Sequence, residues 1–280
     1  MTDQYAVIGN PISHSLSPLI HRAFARQTGQ DMDYDRLLAP VDAFASIARS
    51  FFAAEGRGLN VTVPFKLDAA ALADQLTDRA RAAGAVNTLV LGSDGRLLGD
   101  NTDGAGLVND LTRQLRWPLE GQRILLLGAG GAARGVLQPL LAQLPEAIHI
   151  ANRTAARAVQ LAQRFPQGGR VTGGGLDDLP GPFNLVINAS SASLSGEMPA
   201  LPAAVISSDT RAYDMVYGAE PTVFMRWAAD CGAETADGLG MLVAQAAESF
   251  FLWRGLHPQL APVLSELRAG LKRNQTDEQN

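Results

Sequence analysis

Short runs of hydrophobic residues alternate with amphipathic stretches along most of this chain. The runs are bounded by glycine or proline, and the stretches between them repeat apolar residues at helical spacing. This alternation is typical of βα units around a mainly parallel sheet, so the sequence predicts an α/β fold. In the first third, the predicted strands are 5–9, 34–38 and 59–63, and the predicted helices are 17–28 and 43–54.

The alternation runs in two series, which predicts two domains. The first series closes at a hairpin, where 86–91 and 96–98 flank Asp94-Gly95, a pair that favours the positive φ angles of a tight turn. A helix is predicted at 102–115. The second series then has predicted strands at 123–128, 146–151, 169–172, 183–189 and 205–214, with helices at 131–144 and 154–165.

Two last helices, 241–254 and 261–272, have no strands left to cover in the second series. They are therefore predicted to return to the first domain. The predicted first domain, an α/β substrate domain, comprises 1–103 plus 239–280, and the predicted second domain, of Rossmann type, comprises 104–238.

Composition and charge argue against several classes of function. The 280 residues are 46% hydrophobic and carry a formal charge of −5, which leaves no basic surface for nucleic acid or an anionic membrane. The first residues lack the basic start and apolar stretch of a signal peptide, and the apolar runs are too broken to span a bilayer, so a cytoplasmic protein is expected. One cysteine and four scattered histidines show no metal-ligand spacing, and no metal is predicted.

A glycine-rich turn follows the strand that starts the second series. The turn links a five-residue apolar run to a predicted helix, and its residues are Gly128, Ala129, Gly130, Gly131 and Ala132. Glycine lets a pyrophosphate approach the backbone, and the first N–H groups of the helix then face the anion. The turn therefore predicts a dinucleotide site, although a strand-to-helix turn without a ligand would have the same spacing.

The end of the next predicted strand favours NADP over NAD. An NAD site usually has an acidic residue here to bind the ribose hydroxyl. This chain instead has Asn152, Arg153 and Thr154, with Arg157 one turn later. The two guanidinium groups can pair with a 2′-phosphate, and the polar side chains can donate hydrogen bonds to it. Taken alone, Arg157 would be an ordinary solvated helix charge.

Polar residues collect at strand ends in the predicted first domain. The string 60–66 ends a strand at Pro64 and presents Lys66, while 84–88 and 99–104 bring amides, hydroxyls and acids. Lys66 could act as an acid or could be a solvated lysine that starts a helix. Asp103 alone could be a helix cap.

Together, these strings identify a resemblance to the shikimate dehydrogenase family. The match covers nearly the whole chain, and the substrate-side strings do not recur in general Rossmann dehydrogenases. The matching segments, in order, are 9–18, 60–66, 84–88, 100–104, 128–134, 152–154 and 237–245. The resemblance implies NADPH-dependent reduction of 3-dehydroshikimate to shikimate, on the route to chorismate and the aromatic amino acids.

The resemblance also implies site residues. Ser15, Ser17 and Tyr217 would bind the substrate carboxylate, and the ring hydroxyls would be held by Thr62, Lys66, Asn87, Asp103 and Gln245. Met215 and Gly238 match positions at the nicotinamide end. Asp78 matches an acidic position near the cofactor, where the family more usually has glutamate.

The resemblance and general acid–base chemistry together predict a mechanism. Lys66 would protonate the oxygen that gains charge as hydride arrives, and Asp103 would orient the ammonium. One alternative is a quinate/shikimate dehydrogenase-like paralogue that oxidises a related polyol acid and could use NAD. Another is a non-catalytic sensor of NADP and a carboxylate. The sequence leaves the oligomeric state open, with a homodimer as one arrangement.

Overall fold

The computed structural model describes residues 2–166, 169–177, 179–190, 192–198 and 200–278. The chain forms two compact units. The first comprises Met1–Gly106 and Leu242–Ser265, and the second comprises Leu107–Met241 and Glu266–Asn280. The structure therefore groups 266–280 with the second unit, where Arg268 pairs with Asp237, whereas the sequence prediction assigned all of 239–280 to the first domain.

The first unit contains a six-stranded mixed sheet with strand order β2-β1-β3-β5-β6-β4. β1 lies parallel to both β2 and β3, and β5 lies antiparallel to β3 and β6. The strands are β1 (Asp3–Gly9), β2 (Met32–Leu38), β3 (Gly56–Val61), β4 (Gln75–Leu76), β5 (Thr88–Leu91) and β6 (Leu97–Asp100). The helices are α1 (Ser17–Thr28), α2 (Phe44–Ala53), α3 (Lys66–Leu72) and α4 (Asp78–Ala83), followed by the start of α5 (Asp103–Asn109).

The core of the first unit packs α2 and α3 against the sheet. Ile8, Leu59 and Leu89 come from neighbouring strands, and Phe44 stacks on Phe65 with ring centroids 5.0 Å apart. Because Phe65 directly precedes α3, its burial fixes where that helix begins.

The predicted hairpin is present, but its turn differs from the prediction. Gly95 alone has positive φ, at 78°, and its N–H donates to Gly92 O at 3.0 Å. Asp94 keeps a negative φ because the connection spans Gly92 to Arg96, a longer loop than the two-residue turn that would need two positive angles.

The second unit contains a six-stranded parallel sheet with order β12-β11-β10-β7-β8-β9. The chain moves outward on one side of β7 and then returns to β10 on its other side, so the strand order reverses between β7 and β10. In doubly wound sheets, ligands bind beyond the carboxyl ends of the strands at such a reversal. The strands are β7 (Arg123–Leu127), β8 (Ala147–Ala151), β9 (Val171–Gly174), β10 (Leu185–Asn188), β11 (Arg211–Asp214) and β12 (Glu234–Asp237).

The helices of this unit are α6 (Gly131–Leu141), α7 (Ala155–Gln163) and α8 (Val223–Asp230), followed by α9 (Leu239–Arg254) and α10 (Leu260–Glu278), which each contain a boundary between the units. The predicted helix 102–115 continues past α5 as a π-helix over Asp110–Gln114. Among the described residues, no helix is both long enough and apolar enough to cross a bilayer.

Candidate active site

Lys66 and Asp103 form an ion pair in the first unit. Lys66 is the first residue of α3, and Asp103 is the first residue of α5. The ammonium Nζ donates a hydrogen bond to Asp103 Oδ2 at 2.6 Å. The side chains are 25% and 11% exposed, so the pair is partly desolvated and still accessible to a small molecule. An ammonium group and a carboxylate at this distance can share a proton with a third group.

Asn87 binds the other oxygen of the same carboxylate. Its Nδ2 donates to Asp103 Oδ1 at 2.8 Å and lies 3.4 Å from Gln245 Oε1. Four of the predicted substrate-binding residues are therefore linked by hydrogen bonds. They are Lys66, Asn87, Asp103 and Gln245. Gln245 lies on α9, so this group draws on segments far apart in sequence.

Ser15 and Ser17 lie at the entry to α1. Ser15 Oγ accepts from the Ser17 N–H at 3.3 Å, and Ser15 O accepts from two guanidinium nitrogens of Arg36 at 3.2 and 2.6 Å. Ser17 is buried, with 8% of its surface exposed. Two serine hydroxyls and nearby backbone N–H groups are suitable donors for a carboxylate.

Thr62 lies just after β3 and packs against the end of β1. A Cβ atom at Gly9 would lie 2.5 Å from Thr62 Cγ2, so only glycine at position 9 leaves room for this side chain. The N–H of Thr62 donates to Ile8 O at 3.0 Å, which ties the residue to the β1 strand end.

Asp100 is a buried acid three residues before Asp103, and the sequence prediction did not assign it to the site. Arg79 donates to both of its carboxylate oxygens at 2.7 Å, and Thr77 Oγ1 donates at 2.6 Å. Burial raises the pKa of Asp100, but the hydrogen bonds from Arg79 and Thr77 outweigh that effect and hold it below its usual value. Asp100 is therefore ionised and anchors the chain directly before Asn101 and Asp103.

In the second unit, the glycine turn has the shape that a pyrophosphate needs. Gly128 has φ of 106°, and a Cβ atom at Gly130 or Gly131 would meet nothing within 4 Å. Gly130 is the N-cap of α6 and makes no side-chain cap hydrogen bond, and the helix begins directly after the turn that follows β7, where the strand order reverses. Ala129 is buried and Ala132 is half-buried. These residues fit a dinucleotide phosphate.

The end of β8 presents polar and cationic side chains. Asn152 Nδ2 donates to Thr154 O at 3.0 Å, and Thr154 is the N-cap of α7. Arg153 and Arg157 are exposed, and neither has a carboxylate partner within the described part of the chain. Two unpaired guanidinium groups at this position suit a phosphate on the adenosine ribose.

Met215 and Gly238 touch each other in the second unit, since a Cβ atom at Gly238 would lie 2.2 Å from Met215 O. Tyr217 is half-buried nearby in the chain, and burial together with the charge of Asp237 raises its pKa. Asp78 is an exposed residue in the first turn of α4, where its charge complements the helix dipole. Its assignment to the cofactor stays a prediction.

No cluster of three or more His, Cys, Asp or Glu side chains suited to a metal ion occurs among the described residues.

Three family models match the chain in order along its length. They are the shikimate dehydrogenase substrate binding domain at residues 7–89, shikimate / quinate 5-dehydrogenase at 110–194, and the shikimate 5′-dehydrogenase C-terminal domain at 238–268. Together they match more than half of the chain.

Individual relatives are similar over almost the full length. Shikimate dehydrogenase (NADP(+)) of Cupriavidus necator is 57% identical over 281 residues, which covers 97% of this chain and 95% of the relative. A crystal structure of an Ael1 enzyme from Pseudomonas putida has a TM-score of 0.91 and 44% identity, covering 95% of this chain and 98% of that one. Shikimate 5-dehydrogenase from Thermus thermophilus, in complex with NADP(H) and shikimate, has a TM-score of 0.84 and 34% identity, covering 96% and 100%. The chain belongs to the shikimate dehydrogenase family.

Proposed function

We propose that this chain catalyses the reversible reduction of 3-dehydroshikimate to shikimate with NADPH, and that Lys66 and Asp103 carry the proton transfer. Its family makes it an NADP-dependent oxidoreductase that acts on a CH–OH group. The observation that supports the residue roles is the 2.6 Å contact between the Lys66 ammonium and the Asp103 carboxylate, both within reach of solvent.

Bound NADPH supplies a hydride to the carbonyl carbon of the substrate. As that hydride arrives, Lys66 Nζ donates a proton to the carbonyl oxygen, and the resulting hydroxyl lies where Asp103 can accept its hydrogen bond. In the oxidative direction, the neutral lysine amine takes the hydroxyl proton. Asp103 keeps the lysine nitrogen in one position in both directions because its Oδ2 accepts directly from Nζ.

The other predicted residues bind and orient. In this proposal Ser15, Ser17 and Tyr217 hold the substrate carboxylate, while Thr62, Asn87 and Gln245 bind ring hydroxyls. Asn87 also contacts the acid–base pair, because its Nδ2 donates to Asp103 Oδ1 at 2.8 Å.

The cofactor side of the proposal has two parts. The glycine turn from Gly128 to Ala132 would hold the pyrophosphate, and the residues at the end of β8 would hold the 2′-phosphate. Support comes from the empty space over Gly130 and Gly131 and from the two unpaired arginines. The residues assigned to the 2′-phosphate are Asn152, Arg153, Thr154 and Arg157, and those assigned to the nicotinamide end are Met215 and Gly238, with Asp78 in a peripheral position.

In this proposal the first unit binds the substrate, apart from the contact assigned to Tyr217, and the second binds NADP, apart from the peripheral position assigned to Asp78. A cytoplasmic location and a homodimer are further parts of the proposal. Sedimentation of the purified protein tests the homodimer directly.

The experiment that tests the roles compares Lys66→Ala with the unaltered protein in shikimate-dependent reduction of NADP⁺. We expect turnover to fall about 10²–10⁴-fold, the usual contribution of general acid–base catalysis, with NADPH affinity nearly unchanged. Arg96→Ala is the control, since Arg96 is an exposed cation in the hairpin. Near-normal turnover of Lys66→Ala would remove Lys66 from the role.

A second experiment tests the phosphate contacts. The double variant Arg153→Ala/Arg157→Ala should weaken NADPH binding about tenfold to a hundredfold while leaving NADH binding unchanged, because only NADPH carries the 2′-phosphate. Arg164→Ala, an exposed arginine just after α7, is the control. Equal losses for NADPH and NADH would contradict the assignment. Rates with shikimate and quinate under each cofactor separate the proposed enzyme from a quinate-using paralogue.

A further inference from the structure

A buried chain of polar side chains lies beneath Asn87 in the first unit. None of its members was assigned to the substrate or the cofactor. Each is less than 10% exposed, and each hydrogen-bonds the next through side-chain atoms. The members are Tyr34, Asn60, Ser249 and Thr88.

The direction of the hydrogen bonds at Asn60 follows from its backbone neighbour. Its Nδ2 lies 3.3 Å from the carbonyl oxygen of Asn87, which can only accept. The amide nitrogen therefore faces β5, and Oδ1 faces Tyr34, whose hydroxyl donates to it at 2.7 Å. From the same nitrogen, Asn60 also donates to Ser249 Oγ at 2.9 Å and to Thr88 Oγ1 at 3.2 Å.

Asn87 is oriented by a backbone donor in the same way. The N–H of Thr102 lies 2.9 Å from Asn87 Oδ1, so this atom is the amide oxygen. Nδ2 must then face the opposite side, where it donates to Asp103 Oδ1 at 2.8 Å. The amide of Asn87 could rotate away from Asp103 only if the donors to Oδ1 were lost.

Thr88 supplies a side-chain donor to that oxygen. Its Oγ1 donates to Asn87 Oδ1 at 2.9 Å and accepts from Asn60 Nδ2 at 3.2 Å. Thr88 Oγ1 also lies 2.8 Å from Ser249 Oγ, whose own hydrogen can be donated to Thr88 or to the carbonyl oxygen of Gln245 at 3.1 Å. Thr88 is fully buried, so it does not meet a ligand itself. Its hydroxyl is the point where the buried chain joins the residue that holds Asp103.

We propose that Thr88 is a positioning residue for the acid–base pair: its buried hydroxyl fixes the amide of Asn87 so that Asn87 holds Asp103, and Asp103 holds the ammonium of Lys66. The inference rests on the proposed function, because it assumes that Lys66 and Asp103 transfer the proton. Tyr34 and Asn60 fix the direction of these hydrogen bonds at the far end of the buried chain.

The test compares two replacements that separate the hydroxyl from the methyl group. Thr88→Val keeps the shape of the side chain and removes the hydroxyl, whereas Thr88→Ser keeps the hydroxyl and removes the methyl. We expect Thr88→Val to lower kcat about fivefold, the fold-change that corresponds to one hydrogen bond, with KM for shikimate and NADPH affinity within twofold. Thr88→Ser should keep kcat within twofold of the unaltered protein.

A packing role gives the opposite order, because Thr88→Ser leaves a small cavity and Thr88→Val does not. Equal kcat in the two variants, or a larger loss in Thr88→Ser, would overturn the inference. If Thr88→Val does not fold, Thr88→Ala against Thr88→Ser makes the same comparison of the hydroxyl. The unaltered protein separates this inference from the proposed function: without shikimate-dependent NADP⁺ reduction the function itself fails, whereas normal activity with no effect of the hydroxyl refutes only the role of Thr88.

Discussion

Asp110 makes the stability of the second unit depend on pH. The residue is 3% exposed, and its Oδ2 accepts a hydrogen bond from Tyr213 Oη at 2.7 Å. Burial raises the pKa of Asp110 to about 6, and the nearby charge of Asp237 adds to this rise, while the Tyr213 hydrogen bond opposes it. A change from 3.8 to about 6 corresponds to about 3 kcal/mol between the two protonation states.

Because the folded protein binds this proton more tightly than the unfolded chain, folding takes up a proton between about pH 4 and pH 6. The stabilising contribution of the protonated carboxyl is fully present below pH 4 and is lost as the pH rises through the folded-state value. Asp110 should therefore lower the free energy of unfolding by about 3 kcal/mol at pH 7 relative to pH 4.

The perturbation is Asp110→Asn, which removes the titration. We expect the difference in unfolding free energy between the variant and the unaltered protein to change by about 3 kcal/mol between pH 4 and pH 7, in favour of the variant at pH 7. Urea unfolding at several pH values, followed by fluorescence, measures this change. The quantity compared is the change of the unfolding free energy with pH, since the side-chain amide of Asp110→Asn also alters hydrogen bonds at every pH. Tyr213→Phe should extend the window to higher pH because it removes the bond that lowers the pKa. The same pH dependence in Asp110→Asn and the unaltered protein would contradict a raised pKa for Asp110 in the folded state.

Three other predictions concern the two units. Gly238→Ala should lower the midpoint of thermal unfolding by several degrees, because its Cβ would lie 2.2 Å from a backbone oxygen. Gly130→Ala should keep that midpoint, because nothing lies within 4 Å of its Cβ, and should weaken NADPH binding in a fluorescence titration. Arg79→Ala should cost about 3–5 kcal/mol at pH 7 in urea unfolding, since it leaves the Asp100 carboxylate buried without its partner. The cost of Arg79→Ala should shrink as the pH falls and Asp100 takes up a proton, and a cost that does not change with pH would contradict the role given to that pair.

The parts of the fold that the sequence predicted well are those with local signals at both ends. Helix α1 begins and ends where predicted, because Pro18 occupies its first turn and Gly29 adopts a left-handed φ of 65° directly after it. The glycine turn at Gly128 is another such case, since its backbone geometry depends on residue type alone. The boundary of β11 was wrong by six residues: 203–205 form a short 3₁₀ turn, and the strand itself begins at Arg211.

Helices α4 and α8 were missed for a related reason. Both are short, with six and eight residues, and each begins after a threonine that caps it, Thr77 and Thr222. A single threonine before so short a stretch is too common to predict a helix, because most threonines cap nothing. The cap is recognisable only when the side chain is seen to accept from the backbone two or three residues later.

The candidate site divides in the same way between what local sequence can show and what only packing can show. Lys66 and Asp103 stand in strings that are unusual in composition and order, so their pairing could be expected from the resemblance. Thr88 and Ser249 lie within an apolar strand and an apolar helix, where a hydroxyl is ordinary and gives no local signal. The proposed role of Thr88 arises from direction. Its hydroxyl and the backbone N–H of Thr102 both donate to Asn87 Oδ1, which fixes the end of the Asn87 amide that faces Asp103, and this depends on two segments, 87–88 and 102–103, meeting in space. A chemical role that depends on the orientation of a planar amide cannot be read from residue types, since the two orientations have the same sequence.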